Sequence, residues 1–173
     1  MIQTSEQYQH IVQGCREIFL KKTKDYGASW RIARASSLTD QIFIKANRIR
    51  TLQETNENKV GESIEGEFGA MVNYCIMAII QSRSNDGFGL ELAEKEALIL
   101  YNQVAQEAFE LMERKNHDYG EAWRDMRVSS LTDMILIKLL RIKQIEDNGG
   151  QTIASEGIES NYFDILNYSI FAL

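Results

Sequence analysis

Apolar residues recur along this chain at intervals of three and four, the spacing of one face of an α-helix. Tyr8, Ile11, Val12, Cys15, Ile18 and Phe19 form the first such stripe, and Tyr101, Val104, Ala105, Ala108, Leu111 and Met112 repeat it. A second stripe, Leu38, Ile42, Lys45, Ile49 and Leu52, returns as Leu131, Ile135, Lys138, Ile142 and Ile145. A third runs through Ile64, Phe68, Met71, Val72, Cys75 and Ile76, then again through Ile158, Tyr162, Ile165, Leu166 and Ile170. No stretch alternates at a period of two, and proline is absent. The pattern predicts an all-α protein with three helices in each half.

Local signals place the helix ends. The first helix of each half runs into Asp25-Tyr26-Gly27 or Asp118-Tyr119-Gly120, where glycine can take the left-handed conformation that stops a helix. The second helix is expected to start at a capping box, Ser37-x-x-Asp40 and Ser130-x-x-Asp133,. Polar loops follow at 54–61 and 146–152, and the third helix is expected over about 62–81 and from 155 to the end. The polar, glycine-bearing stretch 82–89 is the best linker between the halves,.

The halves are copies of one unit. Between Lys22 and Ile49, 17 of 28 residues recur 93 positions later, which is too much for a short-motif coincidence. The two tryptophans of the chain, Trp30 and Trp123, occupy matched positions. One extra residue in the second polar loop raises the offset to 94 in the third helix. Units of this size, 1–84 and 90–173, bury little alone. They are therefore expected to pack as one compact folded unit, a pseudo-two-fold helical bundle. A homo-oligomer of that unit is compatible with the sequence. The third-helix pattern is unfinished at Leu173, where the first copy continues, so the natural chain is expected to run on.

A net charge of −6 argues against a polynucleotide partner, which needs a basic face. Cys15 and Cys75 fall on apolar stripes and read as small core residues,. The first residues have neither the basic nor the apolar region of a secretory signal, and no apolar run approaches a membrane span,. A soluble cytoplasmic protein with no membrane partner is expected.

The sharpest chemical signal is charge on apolar faces. Lys45 and Lys138 sit mid-stripe, Lys22 and Lys115 end the first stripe, and Glu65 and Glu159 begin the third. Such charges cost several kcal/mol unless paired or bound to a ligand. Two readings follow: buried ion pairs with snorkelling lysine stems, or a polar pocket inside the bundle. Arg48 and Arg141 lie beside the mid-stripe lysines, while Arg31, Arg34, Arg124 and Arg127 read as solvated. The acids differ between copies. Asp164 matches Ala70, and Glu67 matches Asn161. Glu156, Glu159 and Asp164 are thus the stronger candidate metal set, and carboxylates without Cys or His favour Mg²⁺ or Mn²⁺ over zinc.

The repeated Lys-x-x-Asp-Tyr-Gly-x-x-Trp, the following Leu-x-Asp-x-Ile-x-x-Lys-x-x-Arg-Ile, and the Asn-Tyr of the third helix resemble the family called nucleotide modification associated domain 1, first catalogued as domain of unknown function 1599. The resemblance covers nearly the whole chain, once per copy. It implies a helical protein linked to nucleotide or base modification. A weaker likeness, to all-helical nucleoside triphosphate pyrophosphatases of the MazG type, rests on Glu156-x-x-Glu159 and in part on Asn161-x-x-Asp164.

The functional expectation is a Mg²⁺-dependent enzyme acting on a small-molecule nucleotide, such as a phosphohydrolase. Glu156, Glu159 and Asp164 would hold the metal, with Glu159 and Lys138 catalytic. Lys115 and Arg141 would neutralise phosphate, and Tyr119 and Trp123 would stack on the base, with Asp118 reading an edge. Lys22, Asp25, Tyr26, Trp30, Lys45 and Arg48 are the matching binding candidates of the first copy. The alternatives are a non-catalytic binding or accessory module, and a structural duplicate whose buried charges fix helix register.

Overall fold

The computed structural model describes residues 2–56, 61, 63–84, 92–149 and 157–173. Within them the chain forms six α-helices and no strand: α1 (Ile2–Tyr26), α2 (Ala35–Thr55), α3 (Ile64–Arg83), α4 (Glu94–Tyr119), α5 (Val128–Asp147) and α6 (Ile158–Phe171). A short 3-10 turn carries each tryptophan, at Ser29–Ile32 and Ala122–Asp125. No helix among the described residues is long and apolar enough to cross a membrane.

The glycine stops are where the sequence places them. Gly27 and Gly120 both have φ of +63°. Gly120 combines this with ψ of −149°, a region open essentially to glycine alone. The capping boxes are not the helix starts. The N-caps of α2 and α5 lie three residues earlier than expected, at Arg34 and Arg127 in extended backbone with no side-chain cap. The Arg34 carbonyl accepts from the Ser37 and Leu38 amides, and Arg127 does the same for Ser130 and Leu131. The first turn is thus closed by backbone alone, and the serines lie inside it. A genuine cap stands at α3, where Ser63 accepts from the Gly66 amide at 3.0 Å. The expected start of the last helix at 155 and the 85–89 part of the linker lie outside the described residues.

Like helices of the two copies pack on each other. α3 lies on α6, α2 on α5, and α1 on α4. The most apolar pair, α3 and α6, is also the most buried. Both cysteines are buried there or on α1, and burial pushes the Cys15 thiol up to about 11, so neither is a nucleophile at neutral pH.

Reciprocal bonds show the two-fold relation residue by residue. Tyr8 donates to Asn167 Oδ1 at 2.6 Å, and its match Tyr101 donates to Asn73 Oδ1 at 2.7 Å. Each asparagine in turn donates to a carbonyl of its own copy's first helix, Asn73 to Cys15 and Asn167 to Ala108. Gln53 donates to Thr132, and Thr39 to Glu146, again matched positions exchanged across the halves. An interface in which residue i meets j and j meets i is isologous.

Candidate ligand-binding clefts

Each copy opens a cleft between its first helix, its tryptophan turn and its third helix. Lys22, Tyr26, Trp30, Asn73 and Tyr74 line the first. Their matches Lys115, Tyr119, Trp123, Asn167 and Tyr168 line the second. The glycine stop explains the shape. It ends α1 or α4 abruptly, leaves the preceding tyrosine at the rim, and turns the chain so that the tryptophan folds back. Tyr26 and Tyr119 are 71% and 77% exposed. The asparagine in each wall is held by the tyrosine of the opposite copy, and burial raises both phenols above their ordinary range, so they are neutral donors. The clefts differ in size, about 220 Å³ against about 540 Å³. Only the second reaches the range usual for small-molecule sites.

They also differ in charge. In the second cleft Asp164 forms part of the wall. Its Oδ1 is 2.8 Å from Lys115 Nζ and its Oδ2 is 3.0 Å from Lys138 Nζ. The Asp164 side chain is 8% exposed and Lys138 14%, while Lys115 remains 51% exposed at the mouth. In the first cleft Ala70 stands at the matching place. The acid of that copy is Glu67, which holds Arg48 at 2.8 Å and Lys45 at 3.5 Å. Lys22 is exposed there and makes no ion pair among the described residues.

The expected partners of the mid-stripe lysines are therefore corrected. They are Glu67 and Asp164, not Glu65 and Glu159. Glu65 is exposed, and Glu159 is taken by Arg83 at 2.5 Å, which also binds Glu107. A helix turn explains it: positions 67 and 164 face the second helix of their copy, while 65 and 159 lie off that face. Glu159 thus stands apart from Lys138, and from Asp164, and lines neither cleft. Glu156 lies outside the described residues. No group of three acidic, His or Cys side chains that could hold a metal occurs among the described residues. With both Asp164 oxygens on ammonium groups and Glu159 on a guanidinium, the two described members of the proposed Mg²⁺ set do not fit one ion.

Other candidates scatter. Asp25, Asp118 and Arg141 are exposed and line neither cleft. Trp123 does not offer an open stacking face, because Phe171 stacks on it at 4.1 Å and the Arg124 guanidinium lies 4.6 Å from its centroid. Arg31, read as solvated, is buried and donates to Gln81 and Ser84. Asn73, Asn167, Tyr74 and Tyr168 were missed as cleft residues, although each pair is identical at the 94-residue offset. One more feature recurs in both copies. The indole Nε1 of Trp30 and of Trp123 is buried without a hydrogen-bond partner among the described residues.

The sequence profile of nucleotide modification associated domain 1 matches residues 22–82 and 115–173. The chain belongs to this family. The two matched segments contain all the cleft residues named above and bear out the reading of a tandem duplicate. No curated protein and no solved structure matches the chain. Both matched segments begin at the rim lysine, Lys22 or Lys115. In this nucleotide modification associated domain 1 protein the family segment thus starts with the last turns of α1 or α4, and the rest of each first helix precedes it.

Proposed function

We propose that this protein binds a nucleotide, and that the second cleft is its ligand site. The observation that carries this reading is the cleft itself. A solvent-open cavity of about 540 Å³ brings Lys115, Asp164, Asn167 and two tyrosines into one wall. The lysine can meet phosphate, since its ammonium carries three N–H donors and half of its side chain is exposed at the mouth of the cleft. Tyr119 at the rim supplies an exposed ring on which a base can stack, worth roughly 1–3 kcal/mol. The wall asparagine and aspartate supply hydrogen-bonding groups for a base edge or sugar. Family membership in a nucleotide-linked domain supports the same ligand class.

The reading is of binding. Phosphoryl hydrolysis through a resident Mg²⁺ gains no support from Asp164 and Glu159, because the ammonium and guanidinium groups already beside them oppose a further cation. Isothermal titration with nucleoside mono-, di- and triphosphates tests the proposal, with parallel product assays in the presence and absence of Mg²⁺. Saturable binding is expected, weakened about tenfold or more in Lys115→Ala and in Tyr119→Ala. Absence of binding at millimolar ligand would overturn it. Product formation would add an enzyme to the binding protein.

A further inference from the structure

We propose that Asp164 reads the ligand of the second cleft, and that this ligand presents two adjacent hydrogen-bond donors to the carboxylate beside an anionic group that Lys115 meets. This rests on the reading that the cleft takes a nucleotide. The carboxylate is nine-tenths buried yet belongs to the cleft wall. Each of its oxygens accepts from one ammonium, Lys115 on Oδ1 and Lys138 on Oδ2. An ionised carboxylate has about four acceptor positions, so each oxygen keeps one. Two donors spaced like the two oxygens would fill both. Lys138 does not line the cleft and holds the acid in place, while Lys115 does and stays half exposed.

The first copy shows that the fold does not need an acid here. There the mid-stripe Lys45 is neutralised by Glu67, three residues earlier on the helix, and Ala70 occupies the wall. The second copy has Asn161 at the Glu67 position, where it donates to the Gly157 carbonyl. Its carboxylate has been placed in the cavity instead. Register alone would be served by either position. A ligand is served only by the second.

In a nucleotide, two adjacent donors come from one of two sources. A guanine edge offers a ring N–H next to an exocyclic amine, and a ribose offers its 2′,3′-diol. An adenine edge offers an amine next to a lone pair, which a carboxylate repels. Titration of the full chain with GMP, AMP and 2′,3′-dideoxy-GMP separates them. If the base is read, GMP binds about tenfold or more tighter than AMP, and loss of the diol changes nothing. If the sugar is read, GMP and AMP bind alike, and the dideoxy nucleotide weakens by a similar factor.

Asp164→Ala alone leaves Lys138 unpaired, so the decisive variant is Asp164→Ala with Lys138→Met, checked for helicity. It is expected to bind all three nucleotides weakly and without preference. Wild-type protein that binds the three alike overturns the proposal. So does a variant that weakens all three by one factor and keeps the preference, because that is the signature of a structural acid. Failure of all three to bind wild-type protein removes the nucleotide reading itself, and this inference with it.

Discussion

In the first half of the molecule Glu67 holds Lys45 and Arg48. In the second, Asp164 holds Lys138 and Lys115 from the position of Ala70, one turn further along the third helix. The cations occupy matched positions in both halves, so the difference lies in the acid. Moving it by three residues changes which cation has no ion pair among the described residues: Lys22 at the first cleft, the exposed Arg141 on α5. The first cleft, the smaller of the two, has one cation and no acid in its wall. The second, larger cleft carries an internal ion pair. A duplicated unit can diverge in chemistry through one carboxylate while its helices, turns and crossing hydrogen bonds stay superimposable in pattern.

The largest effect that would sharpen this contrast is on stability. Asp164→Ala strands Lys138 in a nearly closed site and is expected to cost about 3–5 kcal/mol, the usual penalty for halving a buried pair. Adding Lys138→Met should restore most of it. Glu67→Ala is expected to cost clearly less, because Lys45 and Arg48 are each 24% exposed and can extend to water. Urea denaturation of the three variants checks the order. Equal losses in Asp164→Ala and Glu67→Ala would mean that the two acids do the same job.

A second comparison concerns what the halves share. Tyr8→Phe and Tyr101→Phe each remove a buried donor and leave an asparagine oxygen unsatisfied, at a cost of about 1–3 kcal/mol. The two bonds are 2.6 and 2.7 Å and buried alike, so the losses are expected to match within the error of the measurement. A large inequality would show that the interface is less symmetric in energy than in geometry.

Much of this was legible in the sequence. The 3.6-residue stripes, the glycine stops and the 93-residue repeat give the helices and the pseudo-two-fold packing, because burial of periodic apolar faces leaves few alternatives. Lysines on those faces announced polar interior sites, and Asp164 and Glu67 stood out as mismatches between copies. The partners of the lysines were not legible. Glu65 shares its helix with Glu67 two residues away, and Glu159 with Asp164 five residues away, and the rotation of that helix against its neighbour decides which acid faces the lysine. The crossing of Tyr8 to Asn167 was hidden for a related reason: it joins residues 159 apart in sequence, and no local pattern reports it. Trp123 read as a stacking platform because sequence cannot show that Phe171 already covers it. Arg31 read as solvated because its buried partner, Gln81, lies on another helix.

The smallest expected effect compares Gln53 with its match Glu146. Both reach the threonine of the opposite half, Gln53 to Thr132 and Glu146 to Thr39. Partial burial raises the Glu146 carboxyl above its ordinary value of 4.5, and nearby Asp40 and Asp147 push the same way, while the Thr39 bond and Lys143 oppose them. A folded-state value above the unfolded one means that the folded protein holds its proton longer. This group therefore leaves stability unaffected below pH 4.5, then removes stability as pH rises until the folded carboxyl has ionised too. Above that point the deficit is constant. Glu146→Gln copies the first half and abolishes the deficit. It is expected to raise the Tm at pH 7 and to lose that advantage in scans below pH 4.5, where wild type and variant should coincide. A variant less stable than wild type at pH 7 would mean that the ionised carboxylate earns its place through Thr39, and that the two halves differ here by design of the interface rather than by a tolerated charge.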